Sequence, residues 1–109
     1  MEFVKAADTS TLPAGKMTMV TAKGKDILLV NVDGAYYAIA NKCTHLGGSL
    51  VKGKLNGYLV TCPRHGGTFD VRTGQAVTGA KIGVLKFNVK NEVQYEVKVE
   101  GTSILIGIP

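Results

Sequence analysis

Hydrophobic and polar residues in the last third of the chain alternate at the two-residue period of a strand. Val93, Tyr95, Val97 and Val99 oppose Gln94, Glu96 and Lys98; just upstream, Phe87 and Val89 oppose Lys86, Asn88 and Lys90. The pattern predicts a half-buried antiparallel strand. Glu100-Gly101 turns the chain, and Ile104 to Ile108 is expected to close the sheet. The first third reads the same way. Phe3-Val4-Lys5 is an expected edge strand, followed by a loop from Asp8 to Gly15. Met17 to Thr21 and Asp26 to Val32 are strands around the turn Ala22-Lys23-Gly24-Lys25, and Asp33-Gly34 returns the chain into Ala35 to Ala40.

The middle of the chain is broken into shorter pieces. Gly48 to Asn56 reads as a connection, Asn56-Gly57 as a turn, and Tyr58 to Thr61 as a strand. Thr68-Phe69-Asp70 and Gln75-Ala76-Val77 flank the turn Arg72-Thr73-Gly74. No stretch of ten or more residues has helical periodicity. The expected fold is therefore all-β, an antiparallel β-sandwich or partly open barrel of about eight to ten short strands. The larger sheet would combine both ends of the chain, with a small subdomain of about residues 40–76 inserted between them.

With 109 residues the chain is expected to form a single domain over 1–109, small enough to gain from a metal clamp. Its 14 glycines suit many tight turns. Met1-Glu2-Phe3-Val4-Lys5 lacks the apolar core of a secretory signal, and runs such as Ile27 to Val30 are too short to span a bilayer. The expectation is a soluble, cytoplasmic monomer that binds neither membrane nor nucleic acid. The net charge of +5 comes from scattered lysines, among them Lys52, Lys54, Lys81 and Lys86. These read as a solvated surface that guards strand edges; the sharper alternative is a docking face for an acidic redox partner.

The chemistry is concentrated in two glycine-ended loops, Cys43-Thr44-His45-Leu46-Gly47-Gly48 and Cys62-Pro63-Arg64-His65-Gly66-Gly67. They contain both cysteines and both histidines of the chain, spaced C-x-H and C-x-x-H, with sixteen residues between His45 and Cys62. This marks Cys43, His45, Cys62 and His65 as a metal site. Cys2His2 ligation suits zinc, and it equally suits a two-iron cluster with histidines on one iron. Zinc fingers tend to pair like with like in each short segment. Here each loop mixes thiol and imidazole, which favours two metals, each loop reaching both.

C-T-H-L-G and C-P-x-H-G-G at this separation resemble the cluster-binding loops of Rieske proteins. The resemblance implies one [2Fe-2S] cluster, with Cys43 and Cys62 on one iron as thiolates and His45 and His65 on the other as neutral imidazoles. Two ferric ions, two sulfides and two thiolates sum to zero charge. Rieske centres therefore lie at about −150 to +300 mV, against about −400 mV for four-thiolate plant-type clusters. Coupling of the potential to pH is expected at alkaline values.

High-potential members of the family carry an extra cysteine in each loop, joined as a disulfide; Gly48 and Arg64 stand there in this chain. They also carry a Ser and a Tyr that donate to the cluster sulfurs, where this chain has Gly67 and Phe69. The expected potential is in the lower half of the range, on the order of −150 to 0 mV. Gly47, Gly66 and Gly67 are expected to allow positive φ and close approach of N–H groups to the sulfides, Pro63 to stiffen its loop, and Leu46 to cover the cluster. A third, proline-containing loop often closes such sites; Thr78 to Gly83 occupies that stretch without a proline.

Rieske domains also occur in ring-hydroxylating oxygenases, which need a second iron held by two histidines and a carboxylate. No histidine remains for one here. The implied function is non-enzymatic: a soluble, low-potential Rieske-type ferredoxin of the archaeal and bacterial kind, carrying one electron at a time. Its partners would be a ferredoxin reductase and an acceptor such as a terminal oxygenase. The rival readings are a zinc-stabilised structural or interaction module and a small Rieske-like subunit of a larger reductase.

Overall fold

The structure is a computed structural model that describes residues 1–43, 48–64, 66–78, 80–82, 85–87 and 90–109, with backbone alone for 78, 80–82 and 85–87. Twelve strands lie among the described residues, and the only helical segments there are 3-10 turns at Thr9–Thr11 and Leu50–Lys52. The strands are β1 (Glu2–Asp8), β2 (Met17–Ala22), β3 (Lys25–Val32), β4 (Ala35–Ala40), β5 (Lys54–Asn56), β6 (Leu59–Thr61), β7 (Thr68–Asp70), β8 (Ala76–Thr78), β9 (Ala80–Ile82), β10 (Leu85–Phe87), β11 (Gln94–Glu100) and β12 (Ser103–Ile108). No helix among the described residues is long and apolar enough to cross a membrane.

A six-stranded antiparallel sheet has the order β1-β12-β11-β4-β3-β2, so both ends of the chain meet in it, as expected. Its two edges, β1 and β2, come near each other and make it a nearly closed barrel. A four-stranded sheet, β5-β6-β7-β8, lies in the chain between β4 and β11, and β9 pairs with β10 as a separate hairpin. The expected all-β partly open barrel is the fold observed.

Turn chemistry explains the meander. Lys23 and Gly24 have φ of 51° and 75°, and Asp33 and Gly34 have 52° and 89°. Two successive positive-φ residues give the two-residue hairpin turn whose twist matches the flanking strands. Asn31 secures the second turn: its amide donates to Leu12 O at 2.8 Å and its carbonyl accepts from Gly34 N–H at 2.8 Å.

β3 is the wall between two cores. Ile27 and Leu29 face the barrel interior with Ala38, Tyr95, Ile104, Ile106 and Ile108. Leu28, Val30 and Val32 face the other way, into a layer shared with Ile39, Leu50, Val60, Phe69 and Val71 of the small sheet and its approaches. Burial on both faces explains why β3 reads as a continuous apolar run rather than an alternation.

Three expectations need correction. The connection from Gly48 to Asn56 contains a 3-10 turn and the strand β5, and 80–82 pairs with 85–87 as a hairpin. Strands of three residues are too short to display a period. The alternation from Val93 to Val99 also overstates burial: Tyr95 is buried, but Val93 and Val99 are exposed. β11 pairs with β4 at Gln94 and Tyr95, so Val99 lies beyond β4, whereas Val93 lies ahead of β11 with its carbonyl accepting from Ala40 N–H at 2.8 Å.

Candidate metal centre

Both cysteine loops are hairpin tips closed by the same bond. Cys43 N–H donates to Gly48 O at 2.6 Å, and Cys62 N–H donates to Gly67 O at 2.7 Å. Below the second closure Thr61 pairs with Thr68, the last pair of the β6–β7 hairpin. Below the first, Lys42 pairs with Ser49 as an isolated bridge, between the end of β4 and the 3-10 turn Leu50–Lys52 rather than within a two-stranded ladder. Each tip therefore begins on a cysteine and ends on a glycine five residues later.

The first tip has a side-chain brace in place of a sheet. Asn41 is buried; its Nδ2 donates to Ser49 Oγ at 2.9 Å and its Oδ1 accepts from Val51 N–H at 2.9 Å. Its carbonyl accepts from Leu50 N–H at 2.9 Å, and its N–H donates to Asp26 O at 3.0 Å. The second tip needs Gly66, whose φ is +78° and around which there is open space. Gly67 is not at positive φ; the expectation for it is corrected. Its use is the carbonyl that closes the loop, in a position that is buried.

The two tips abut. A β-carbon built at Gly48 would lie 2.7 Å from Cys62 Sγ, so only glycine leaves room for that sulfur. The same β-carbon would lie 3.5 Å from Arg64 Cβ. Cys43 and Cys62 are 3% and 2% exposed, and both belong to the core that holds Phe69, Leu50 and Val60. Pro63 is exposed on the loop surface. His45, Leu46, Gly47 and His65 lie outside the described residues.

Two soft donors in buried, facing loop ends, neither in a disulfide among the described residues, fit a thiolate-ligated iron centre. Phe69 is fully buried and has no hydroxyl, and Gly67 has no side chain, so neither offers the cluster a side-chain hydrogen bond.

Pattern reading missed two supports of the site. Asn41 is one; a buried Asn two residues before a ligand loop has no periodic signature, only the general preference of Asn for capping backbone groups. The other is the segment ahead of β11. Asn91 Oδ1 accepts from Ala76 N–H at 2.8 Å, Glu92 N–H donates to Gly74 O at 2.7 Å, and Gln94 Nε2 donates to Arg72 O at 2.8 Å. Together they tie the far side of the small sheet to the barrel. Gly74, at φ +80°, admits this contact because any β-carbon there would lie 2.3 Å from Glu92 O.

Glu92 is buried and its Oε2 has no hydrogen-bond partner among the described residues. Burial pushes its carboxyl up to about 7. Nearby, burial raises the Tyr95 hydroxyl, and Glu92 adds to the effect. At the small sheet's outer end Asp70 accepts from Arg72 Nε at 3.1 Å and Nη2 at 2.8 Å, which holds its carboxyl below the usual range. Arg72 also sits 4.1 Å from the centre of the Tyr58 ring, which meets Tyr37 of β4 edge-on.

Residues 2–87 match the model of the Rieske [2Fe-2S] domain. The chain belongs to the Rieske [2Fe-2S] family. It is 35% identical, over 98% of its length and 96% of the relative's, to the ferredoxin component of the naphthalene 1,2-dioxygenase system of Pseudomonas aeruginosa. Among solved structures it resembles the ferredoxin of carbazole 1,9a-dioxygenase from Nocardioides aromaticivorans IC177, with 31% identity, a TM-score of 0.85 and 97% of each chain covered. It also resembles, at 27% identity and a TM-score of 0.80, a chain in the complex of reduced oxygenase and oxidized ferredoxin in carbazole 1,9a-dioxygenase, covering 95% of this chain and 91% of that one. The Rieske assignment brings with it one [2Fe-2S] cluster, and the likeness to ferredoxin components over nearly the whole chain brings an electron-carrying rather than catalytic role.

Proposed function

We propose that this Rieske protein is the low-potential ferredoxin component of a ring-hydroxylating dioxygenase system, passing single electrons from a reductase to a terminal oxygenase. The observation that carries this reading is its likeness to ferredoxin components over nearly the whole of both chains. Cys43 and Cys62 serve as the thiolate ligands and His45 and His65 as the imidazole ligands. The buried position of both cysteines at facing loop ends supports the first pair; loop spacing supports the second.

When bound, the cluster supplies one reversible electron. The chain keeps water from the sulfurs through the Leu50, Val60 and Phe69 layer and sets their spacing through the two loop closures. Gly67 and Phe69 withhold side-chain hydrogen bonds from the sulfurs, which destabilises the reduced state and supports a potential on the order of −150 to 0 mV. Residues 1–109 act as a single Rieske domain whose cluster-binding part is about 40–76. It works as a soluble protein of the cytoplasm, a reading supported by its likeness to ferredoxin components.

The test is an iron and acid-labile sulfide assay with an EPR spectrum of the dithionite-reduced protein, followed by a redox titration. A rhombic signal of low average g-value is expected, titrating below 0 mV as the lower half of the family range requires (roughly −150 to 0 mV). A colourless, EPR-silent protein with tightly held zinc would sink the carrier reading. A midpoint well above 0 mV would remove only the low-potential part.

A further inference from the structure

The small sheet presents a basic groove beside the second cysteine loop. β5 sends Leu55 inward against the core shared with the barrel, which leaves Lys54 and Asn56 on the solvent face. Lys54 pairs opposite Thr61, the residue before Cys62. Lys52 ends the preceding 3-10 turn. Between the lysines, a β-carbon at Gly53 would lie 1.9 Å from Thr61 O, so this glycine is what lets the turn run against β6. The resulting groove, of about 540 Å³, is lined by Lys52, Lys54, Asn56, Thr61, Cys62 and Pro63 among others.

Its lining holds two cations and no acid. Both lysines are exposed, and neither takes part in the ion pairs found among the described residues. The groove floor reaches Cys62, whose sulfur lies in the buried site. β5 is also an edge of its sheet, where lysines discourage strand addition. The same lysines that guard the edge leave the groove positively charged.

We propose that this groove docks a carboxylate-bearing segment of the electron-accepting protein, placing the acceptor against the Cys62 loop. The proposal rests on the carrier reading above. Complementary charge of this kind acts on encounter rate and weakens with salt.

The experiment uses the cluster-loaded, dithionite-reduced full chain in a stopped-flow instrument, with no partner protein. Ferricyanide, an anion, takes one electron per ion from the reduced protein and becomes ferrocyanide; hexaamminecobalt(III) does the same as a cation. For the wild type, the ferricyanide rate should fall with ionic strength, and acetylated hexaglutamate should slow it at low salt. K52E/K54E should lower the ferricyanide rate at low salt by about tenfold, abolish the hexaglutamate effect, and leave the hexaamminecobalt rate equal or higher. K52Q/K54Q should lie between. Equal ferricyanide rates and equal hexaglutamate inhibition in wild type and K52E/K54E, with iron and sulfide intact in both, would overturn the groove while leaving the carrier reading in place. Protein that holds no iron or acid-labile sulfide would overturn the carrier reading and the groove together.

Discussion

The two cysteine loops reach the same closure by different means. Cys43 bonds to Gly48 and Cys62 to Gly67 in matching geometry. Behind the second stands a regular hairpin with Thr61 opposite Thr68 and Val60 opposite Phe69. Behind the first stands one isolated bridge and the side chain of Asn41. A loop on a hairpin inherits its position from the ladder, and its special need is local: one positive φ at Gly66. A loop without a ladder needs a dedicated buried amide to hold it, and its special need is space, at Gly48. The segment 91–94 performs for the small sheet what Asn41 performs for the first loop, through backbone and amide bonds to Arg72, Gly74 and Ala76.

The largest expected effect treats both loops alike. Replacing Cys62 or Cys43 with Ser should remove the cluster entirely, read as lost visible absorbance and iron content. If either variant kept a full Rieske EPR signal, that cysteine's role as ligand would be refuted. Next is Glu92, which lies in the brace of the second sheet alone. Its carboxyl stays protonated in the folded chain up to about 7, while in the unfolded chain it ionises near 4.5. The folded state therefore binds the extra proton between these values. Stability should fall as pH rises through this window, by on the order of 2–3 kcal/mol, and stay low above it. Glu92→Gln should flatten that part of the urea-denaturation profile; an unchanged slope would show that Glu92 is not the group.

Glycine substitutions separate the two loops directly. Gly48→Ala should cost about 2 kcal/mol and lower cluster occupancy, because its β-carbon meets Cys62 Sγ at 2.7 Å. Asn41→Ala should cost about 1–2 kcal/mol by leaving Val51 N–H without its acceptor and Ser49 without its donor. Gly66→Ala has open space around it and should cost only about 1 kcal/mol, from the left-handed backbone. Chemical denaturation and iron content of the three variants give the ranking. If Gly66→Ala lost more cluster than Gly48→Ala, the assignment of space to one loop and backbone conformation to the other would be reversed.

Much of this was legible in the residues. Alternation located β11, apolar runs located β3 and β12, and paired positive-φ signals such as Asp33-Gly34 located the hairpin turns, because each depends only on neighbours in the chain. The ligand loops were legible for a chemical reason: every cysteine and histidine of the chain lies in them. What sequence alone determined, then, is the all-β class and the family, together with the two loops that hold every cysteine and histidine.

Tertiary structure decided what depends on partners distant in the chain. Val93 and Val99 carry a core pattern yet are exposed: Val93 lies ahead of β11, and Val99 lies beyond the part of β11 that pairs with β4. Leu28 and Leu29 are adjacent and equally apolar, yet each serves a different core, because β3 is covered on both faces. Gly48 is an ordinary loop glycine until the second loop brings Cys62 Sγ against it. Glu92 reads as a surface charge until the chain folds it beneath the small sheet. Local rules act over a few residues; burial is a property of the surfaces that long-range pairing brings together.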